Sequence, residues 1–162
     1  MGSRLAGATR EPGPPSSACD APRIQRIYSG ASLRYLGREE MTRDEAERYV
    51  AQAHEWGLAD PVVQYILGIE AGRHLVGVVK LRRCPPGEGH VGYVLREDIW
   101  GNGYATEAVR RLITFAFSAA GMDRLTAKHL PDNPASGRVL VKSGFERVGP
   151  QGGHIHYRLL RP

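Results

Sequence analysis

Ile99-Trp100-Gly101-Asn102-Gly103-Tyr104-Ala105-Thr106-Glu107-Ala108 is the stretch on which the reading of this chain turns. Two glycines in three positions interrupt regular structure, and Ala105, Ala108, Val109, Leu112, Ile113 and Ala116 then recur at helical spacing up to Gly121. Upstream, His90-Val91-Gly92-Tyr93-Val94-Leu95 alternates as a strand, with Val91, Tyr93 and Leu95 on one face. The quoted stretch is therefore a loop between a strand and a long helix. N–H groups in such a loop point into its turn, those at the helix start add partial positive charge, and glycines admit a diphosphate where a Cβ would intrude. Gly101 to Thr106 form a candidate phosphate cradle. Asn102-Gly103 is also a hairpin pair, but helical and not strand periodicity follows it. A nucleotide P-loop ends in Gly-Lys-Ser/Thr, where this loop has Gly-Tyr-Ala, and a dinucleotide fingerprint has a third glycine where Thr106 stands.

Outward from the loop, Leu125 to Leu130 reads as a short strand, and Asn133-Pro134 opens a second helix that ends at Gly144. Phe145 to Val148 and His154 to Leu160 are the last strands. Toward the N-terminus, Val62 to Ile69 and Leu75 to Leu81 form a hairpin around Ala71-Gly72-Arg73. In Met41-Thr42-Arg43-Asp44-Glu45, Thr42 and Glu45 make a capping box for a helix that runs to Gly57. Residues 1–22, with Gly13-Pro14-Pro15-Ser16-Ser17 and few large apolar side chains, read as a flexible leader, and residues 23–162 as the folded domain. The strand, helix, strand step over 90–130 predicts one parallel crossover in an otherwise antiparallel sheet.

The 162 residues, 41% hydrophobic and 24% charged, suffice for one domain and exclude separate cofactor and substrate domains. No apolar run reaches the ~18 residues of a membrane span and no signal-peptide core is present, so the chain reads as soluble and cytoplasmic with no membrane partner. Cys19 and Cys84 lack metal or redox spacing. The formal charge of +5 comes from scattered Lys and Arg, which argues against nucleic acid and suits a phosphorylated cofactor.

Gly92-Tyr93-Val94-Leu95, Trp100 to Ala108, Asn133-Pro134-Ala135-Ser136 and Lys142-Ser143-Gly144-Phe145, in this order, resemble the GNAT superfamily of acetyl-CoA-dependent N-acetyltransferases. More narrowly they resemble its branch of RimJ- and RimL-like ribosomal-protein N-terminal acetyltransferases. The resemblance implies an α/β (α+β) GNAT fold: a mixed, mostly antiparallel sheet splayed at a central parallel strand pair and flanked by helices. It also implies acetyl-CoA as cosubstrate, with no metal, and a primary amine on a protein N-terminus or small molecule as acceptor. On that analogy the pantetheine arm pairs with backbone of Val94, Leu95 and Arg96. The diphosphate rests on the amides of Gly101, Asn102, Gly103, Tyr104, Ala105 and Thr106, Trp100 walls the loop, and Asn133 binds pantetheine or caps its helix. A backbone N–H near Val94 would contact the oxyanion.

Many relatives carry an acid tyrosine seven residues after the asparagine, where this chain has Leu140. Ser136 occupies the position of the serine that serves instead in the RimL-like branch, or it is only a helix-start hydroxyl. His90 is the candidate general base, set against a structural or solvated histidine, with Glu88 and ordered water as alternatives. Trp56 is either core or acceptor-site lining. His154 and His156 share a strand face without a third metal ligand and read as surface. Relatives begin with an edge strand that is not visible before Arg23. Either the leader supplies it, or the sheet lacks it, or a partner covers the edge, and an uncovered edge favours a homodimer. The alternative function is an acyl-CoA-binding regulatory module on the same fold.

Overall fold

The parallel step expected between residues 90 and 130 organises the sheet. The structure, a computed structural model, describes residues 20–162 and the backbone of residues 4–6. Along the chain run β1 (Arg4–Ala6), α1 (Ala21–Ile27), a 3-10 turn (Gly30–Leu33), α2 (Arg43–Leu58), β2 (Gln64–Ala71), β3 (His74–Cys84) and β4 (Glu88–Leu95). A second 3-10 turn (Glu97–Ile99), α3 (Tyr104–Ser118), β5 (Arg124–His129), α4 (Pro134–Lys142), β6 (Glu146–Gln151) and β7 (His154–Leu160) complete it. The strands form one seven-stranded sheet in the order β1-β2-β3-β4-β5-β7-β6. β4 and β5 are its parallel pair, and the other neighbours are antiparallel.

The structure decides the edge strand β1 and differs from the sequence reading at α1 and in the bounds of β3 and β4. The leader supplies the missing edge strand, with Arg4 to Ala6 pairing antiparallel with Glu70 to Gly68. β1 thus pairs with Gly68 to Glu70 of the β2 edge on which the homodimer expectation rested; α1 begins at Ala21, inside the expected leader, and residues 1–3 and 7–19, Cys19 included, lie outside the described residues. Helix α1 was not anticipated, although Pro22 at its start and the i, i+3, i+4 spacing of Ile24, Ile27 and Tyr28, all buried, carry its pattern. β3 runs on to Cys84 and β4 begins at Glu88, because ladder pairing with a neighbour continues past the point where apolar alternation fades.

Alternation along the strands builds two cores. On one face Leu81, Val91, Leu95, Leu125 and Ala127 meet Val109 and Leu112 of α3 and Leu140 of α4. On the other, Ile66, Val78 and Val94 meet Ile24 and Ile27 of α1 and Ala46, Val50 and Ala53 of α2. The Thr42–Glu45 capping box is present: Glu45 N–H donates to Thr42 Oγ1 at 3.2 Å and Thr42 N–H to Glu45 Oε2 at 2.7 Å.

Candidate active site

β4 and β5 are paired only from Glu88↔Arg124 to Val91↔Ala127. Beyond that point β4 stays with β3 as far as Gly77↔Leu95, while β5 stays with β7 as far as His129↔Ile155. Each strand keeps its outer neighbour and loses its inner one, so a gap opens between them. A cleft of about 430 Å³ occupies this region, floored by Tyr93, Val94 and Leu95 and bounded by Trp100, Gly101 and Gly103 on one side and Asn133, Ser136, Arg138 and Lys142 on the other. Arg96 N–H donates to Val76 O at 2.9 Å on the β3 side. Antiparallel alternation then turns the N–H and C=O groups of Tyr93 and Leu95 toward the gap and those of Val94 and Arg96 toward β3. The Leu95 carbonyl accepts from Trp100 Nε1 at 3.0 Å, which fastens the indole to the cleft wall.

The glycine loop folds as its composition requires. Gly101 and Gly103 have φ of 78° and 82°, in the left-handed region that glycine adopts without penalty. A Cβ added to either would meet nothing within 4 Å, so the space above both is open. Asn102 turns its side chain inward, where Nδ2 donates to the carbonyls of Ile99 and Trp100, each at 3.1 Å. Gly103 caps α3 with no side-chain acceptor, which leaves the first-turn N–H groups of Tyr104, Ala105 and Thr106 directed at the cleft end. Glu107 pairs with Arg111 at 2.7 Å, along the helix and away from the loop. The resulting cavity wall is electropositive, reinforced by Arg138 and Lys142 of α4.

Asn133 and Ser136 meet at the start of α4. Asn133 Oδ1 accepts from Ser136 N–H at 3.2 Å and so caps the helix while lining the cleft. Tyr93 Oη donates to the Ser136 carbonyl at 2.9 Å. A phenol has one proton, so in the 2.7 Å contact between the two hydroxyls Ser136 Oγ donates to Tyr93 Oη. Burial pushes the Tyr93 phenol up to about 12, which keeps it protonated. Leu140, at the position of the tyrosine of many relatives, is in the core.

His90 lies on the opposite sheet face, one alternation before Gly92, and does not line the cleft. Its Nδ1 is 3.2 Å from Thr126 Oγ1, which donates its own proton to Glu88 Oε1 at 3.3 Å. Thr126 must therefore accept from His90 Nδ1–H, and the neutral ring keeps its lone pair at Nε2. Burial, then the cations Arg82 and Lys128, hold His90 below its ordinary value, partly offset by Glu88.

The structure thus brings together Val94, Leu95, Trp100, Gly101, Gly103, Tyr104, Ala105, Thr106, Asn133 and Ser136 around one cleft. Arg96 stands apart, its guanidinium held by Asp98, and Asn102 acts within the loop. Sequence reasoning gave Tyr93, Arg138 and Lys142 no place in the site, although Tyr93 and Lys142 stand in the motifs quoted for the resemblance. Arg138 and Lys142 were findable, since Ala135, Arg138, Val139 and Lys142 form an i, i+3, i+4, i+7 face of α4. Trp56 packs half-buried against the α1/α2 core. Among the described residues no cluster of three metal-ligating side chains occurs, and no helix is long and apolar enough to cross a membrane.

The acetyltransferase (GNAT) domain family model matches residues 13–146. The chain is 30% identical over 141 residues to the uncharacterized N-acetyltransferase YoaA of Bacillus subtilis (strain 168), across 80% of this chain and 76% of that protein. Its fold is similar to that of Mycobacterium smegmatis RimJ in complex with CoA-disulfide, with a TM-score of 0.75 at 19% identity over 90% of this chain and 79% of that one. The microcin C7 self immunity acetyltransferase MccE, solved with acetyl-CoA and AMP, gives a TM-score of 0.76 at 16% identity over 90% and 89% of the two chains.

Proposed function

Because this chain belongs to the GNAT acetyltransferase family, we propose that it moves an acetyl group from acetyl-CoA directly to the amine of a small molecule or peptide. The observation that carries this reading is the cleft itself, in which a parted strand pair, an uncapped helix start with two left-handed glycines, and the Tyr93–Ser136 hydroxyl pair converge. The N–H groups of Gly101 to Thr106, with Arg138 and Lys142, would hold the diphosphate, and the gap-facing groups of Tyr93 and Leu95 would hold the pantetheine arm. Bound acetyl-CoA supplies an acetyl carbon already activated as a thioester.

Acyl transfer forms a C–N bond and breaks the C–S bond, so the amine must lose a proton and the thiolate must gain one. We assign the first task to His90, whose Nε2 lone pair is on the face from which an amine would reach the gap beside Gly92. Glu88 and Thr126 keep that tautomer in place. The second task falls to Ser136. Its Oγ–H can turn from Tyr93 to the departing sulfur, and Tyr93 can then donate to Ser136 Oγ instead of the Ser136 carbonyl, so that each hydroxyl still donates one hydrogen bond. A gap-facing N–H of Tyr93 or Leu95 serves the developing oxyanion.

The alternative, a regulatory acyl-CoA-binding module, drew on the missing tyrosine, the uncertain base and the absent first strand; a strand-borne phenol beside Ser136 supplies a hydroxyl pair by another route, and β1 is the edge strand. Calorimetric titration with acetyl-CoA and CoA release over an amine panel test the proposal. Folded protein that binds neither acetyl-CoA nor CoA would falsify it.

A further inference from the structure

The sheet face that carries His90 is cationic where the gap opens. In register, Lys80 stands opposite Gly92 and Arg82 opposite His90, with Thr126 level with His90 on the far strand. Lys128 follows Ala127, the last β5 residue paired with β4, and shares the face of Thr126, which places it across the mouth of the gap from Gly92. A Cβ added to Gly92 meets nothing within 4 Å, so the floor between these cations is open.

Little on this face balances them. Glu88 is already engaged by Arg124 at 2.6 Å. Among the described residues Lys80, Arg82 and Lys128 have no carboxylate within 4.0 Å. Lys80 is held in place, its Nζ 5.3 Å from the ring centre of Tyr28 and 5.2 Å from that of Tyr49. Burial raises the Tyr49 phenol well above its ordinary 10, so that ring adds no negative charge beside Lys80.

Uncompensated cations around a recess concentrate anions and repel further cations. They also disfavour the ammonium form of an incoming amine relative to the neutral nucleophile. Resting on the acetyl-transfer reading of the cleft, we propose that the acceptor is an amine that also bears an oxyanion, a carboxylate or phosphate, which is seated between Lys128, Arg82 and Lys80 beside Gly92. Polycationic amines such as polyamines and aminoglycosides are then poor acceptors.

The test compares matched amines under saturating acetyl-CoA: ethanolamine with phosphoethanolamine, glucosamine with glucosamine 6-phosphate, phenylalaninamide with phenylalanine, and spermidine. A kcat/KM at least tenfold higher for the anionic member of the phosphate pairs, or of the carboxylate pair, is expected and tells which oxyanion the site takes. In Lys128→Gln and Arg82→Gln, both at exposed positions, that preference should shrink by about 10- to 100-fold, the scale of a lost hydrogen bond to a charged group. Acetyl-CoA affinity serves as the folding control. Equal turnover within every pair, a preference for neutral amines or spermidine, or a preference that survives both variants overturns the anionic acceptor and leaves acetyl transfer standing. Bound acetyl-CoA with no CoA release from any amine overturns the transferase reading and this inference together.

Discussion

Tyr93 Oη is 2.7 Å from Ser136 Oγ and 2.9 Å from the Ser136 carbonyl, so a side chain of the central strand holds the hydroxyl at the start of α4 in one orientation. That contact ties the two sides of the cleft together, joining β4 to the start of α4.

If Ser136 protonates the leaving thiolate and Tyr93 supports it, Ser136→Ala lowers kcat by about 100-fold, and Tyr93→Phe by about 10-fold, with acetyl-CoA affinity retained in both. The double variant should fall no further than Ser136→Ala, because the two hydroxyls act as a unit. Single-variant losses that multiply would separate them.

His90 leads to a pH prediction. Its folded value lies below the ordinary 6.5, so the unfolded chain binds the proton first as the pH falls. The contribution of His90 to stability is thus present above 6.5 and is lost as the pH drops from there through the folded value. Urea melts across this range should show wild type weakening and His90→Gln responding less. In kinetics, the acid limb of kcat/KM should fall at a pH below 6.5 and disappear in His90→Gln, with turnover down by about 100-fold. An acid limb that persists in the variant assigns the base elsewhere.

Gly103 carries a φ of 82° at the cap of α3 with open space where a Cβ would stand. Gly103→Ala should therefore cost only the backbone term, roughly 1 kcal/mol. Gly103→Glu adds a negative charge at the diphosphate cradle and should weaken acetyl-CoA binding at least ~10-fold beyond the alanine variant, the scale of a lost charge-assisted bond. Titration calorimetry on both variants separates strain from charge; equal affinities would move the diphosphate off this loop.

Gly137 is needed for packing. A Cβ there would lie 2.7 Å from His129 Nε2 and 2.8 Å from Tyr157 Oη, two groups bonded to each other at 3.1 Å. Gly137→Ala should destabilise the fold by about 1–3 kcal/mol despite the better helix propensity of alanine, read as a lower denaturation midpoint.

Much of this was legible in the residues alone. The glycine loop, the start of α3 and the Thr42–Glu45 box depend on neighbours within a few positions, where backbone sterics and helical spacing leave few choices. Helix α1 was missed because its apolar pattern is only two turns long and sits beside a Pro- and Ser-rich leader. β1 stayed one of three alternatives for the edge because three residues carry no alternation that a reader could count.

By itself the sequence determined the glycine loop before α3, the order of most strands and helices, and which side chains of β4 share a face. Tertiary structure alone decided that Tyr93 meets Ser136, 43 residues away, that the β4–β5 ladder ends at Val91, and that Lys80, Arg82 and Lys128 gather around Gly92. Local periodicity tells which way a side chain points, but register between strands distant in the chain decides what it points at.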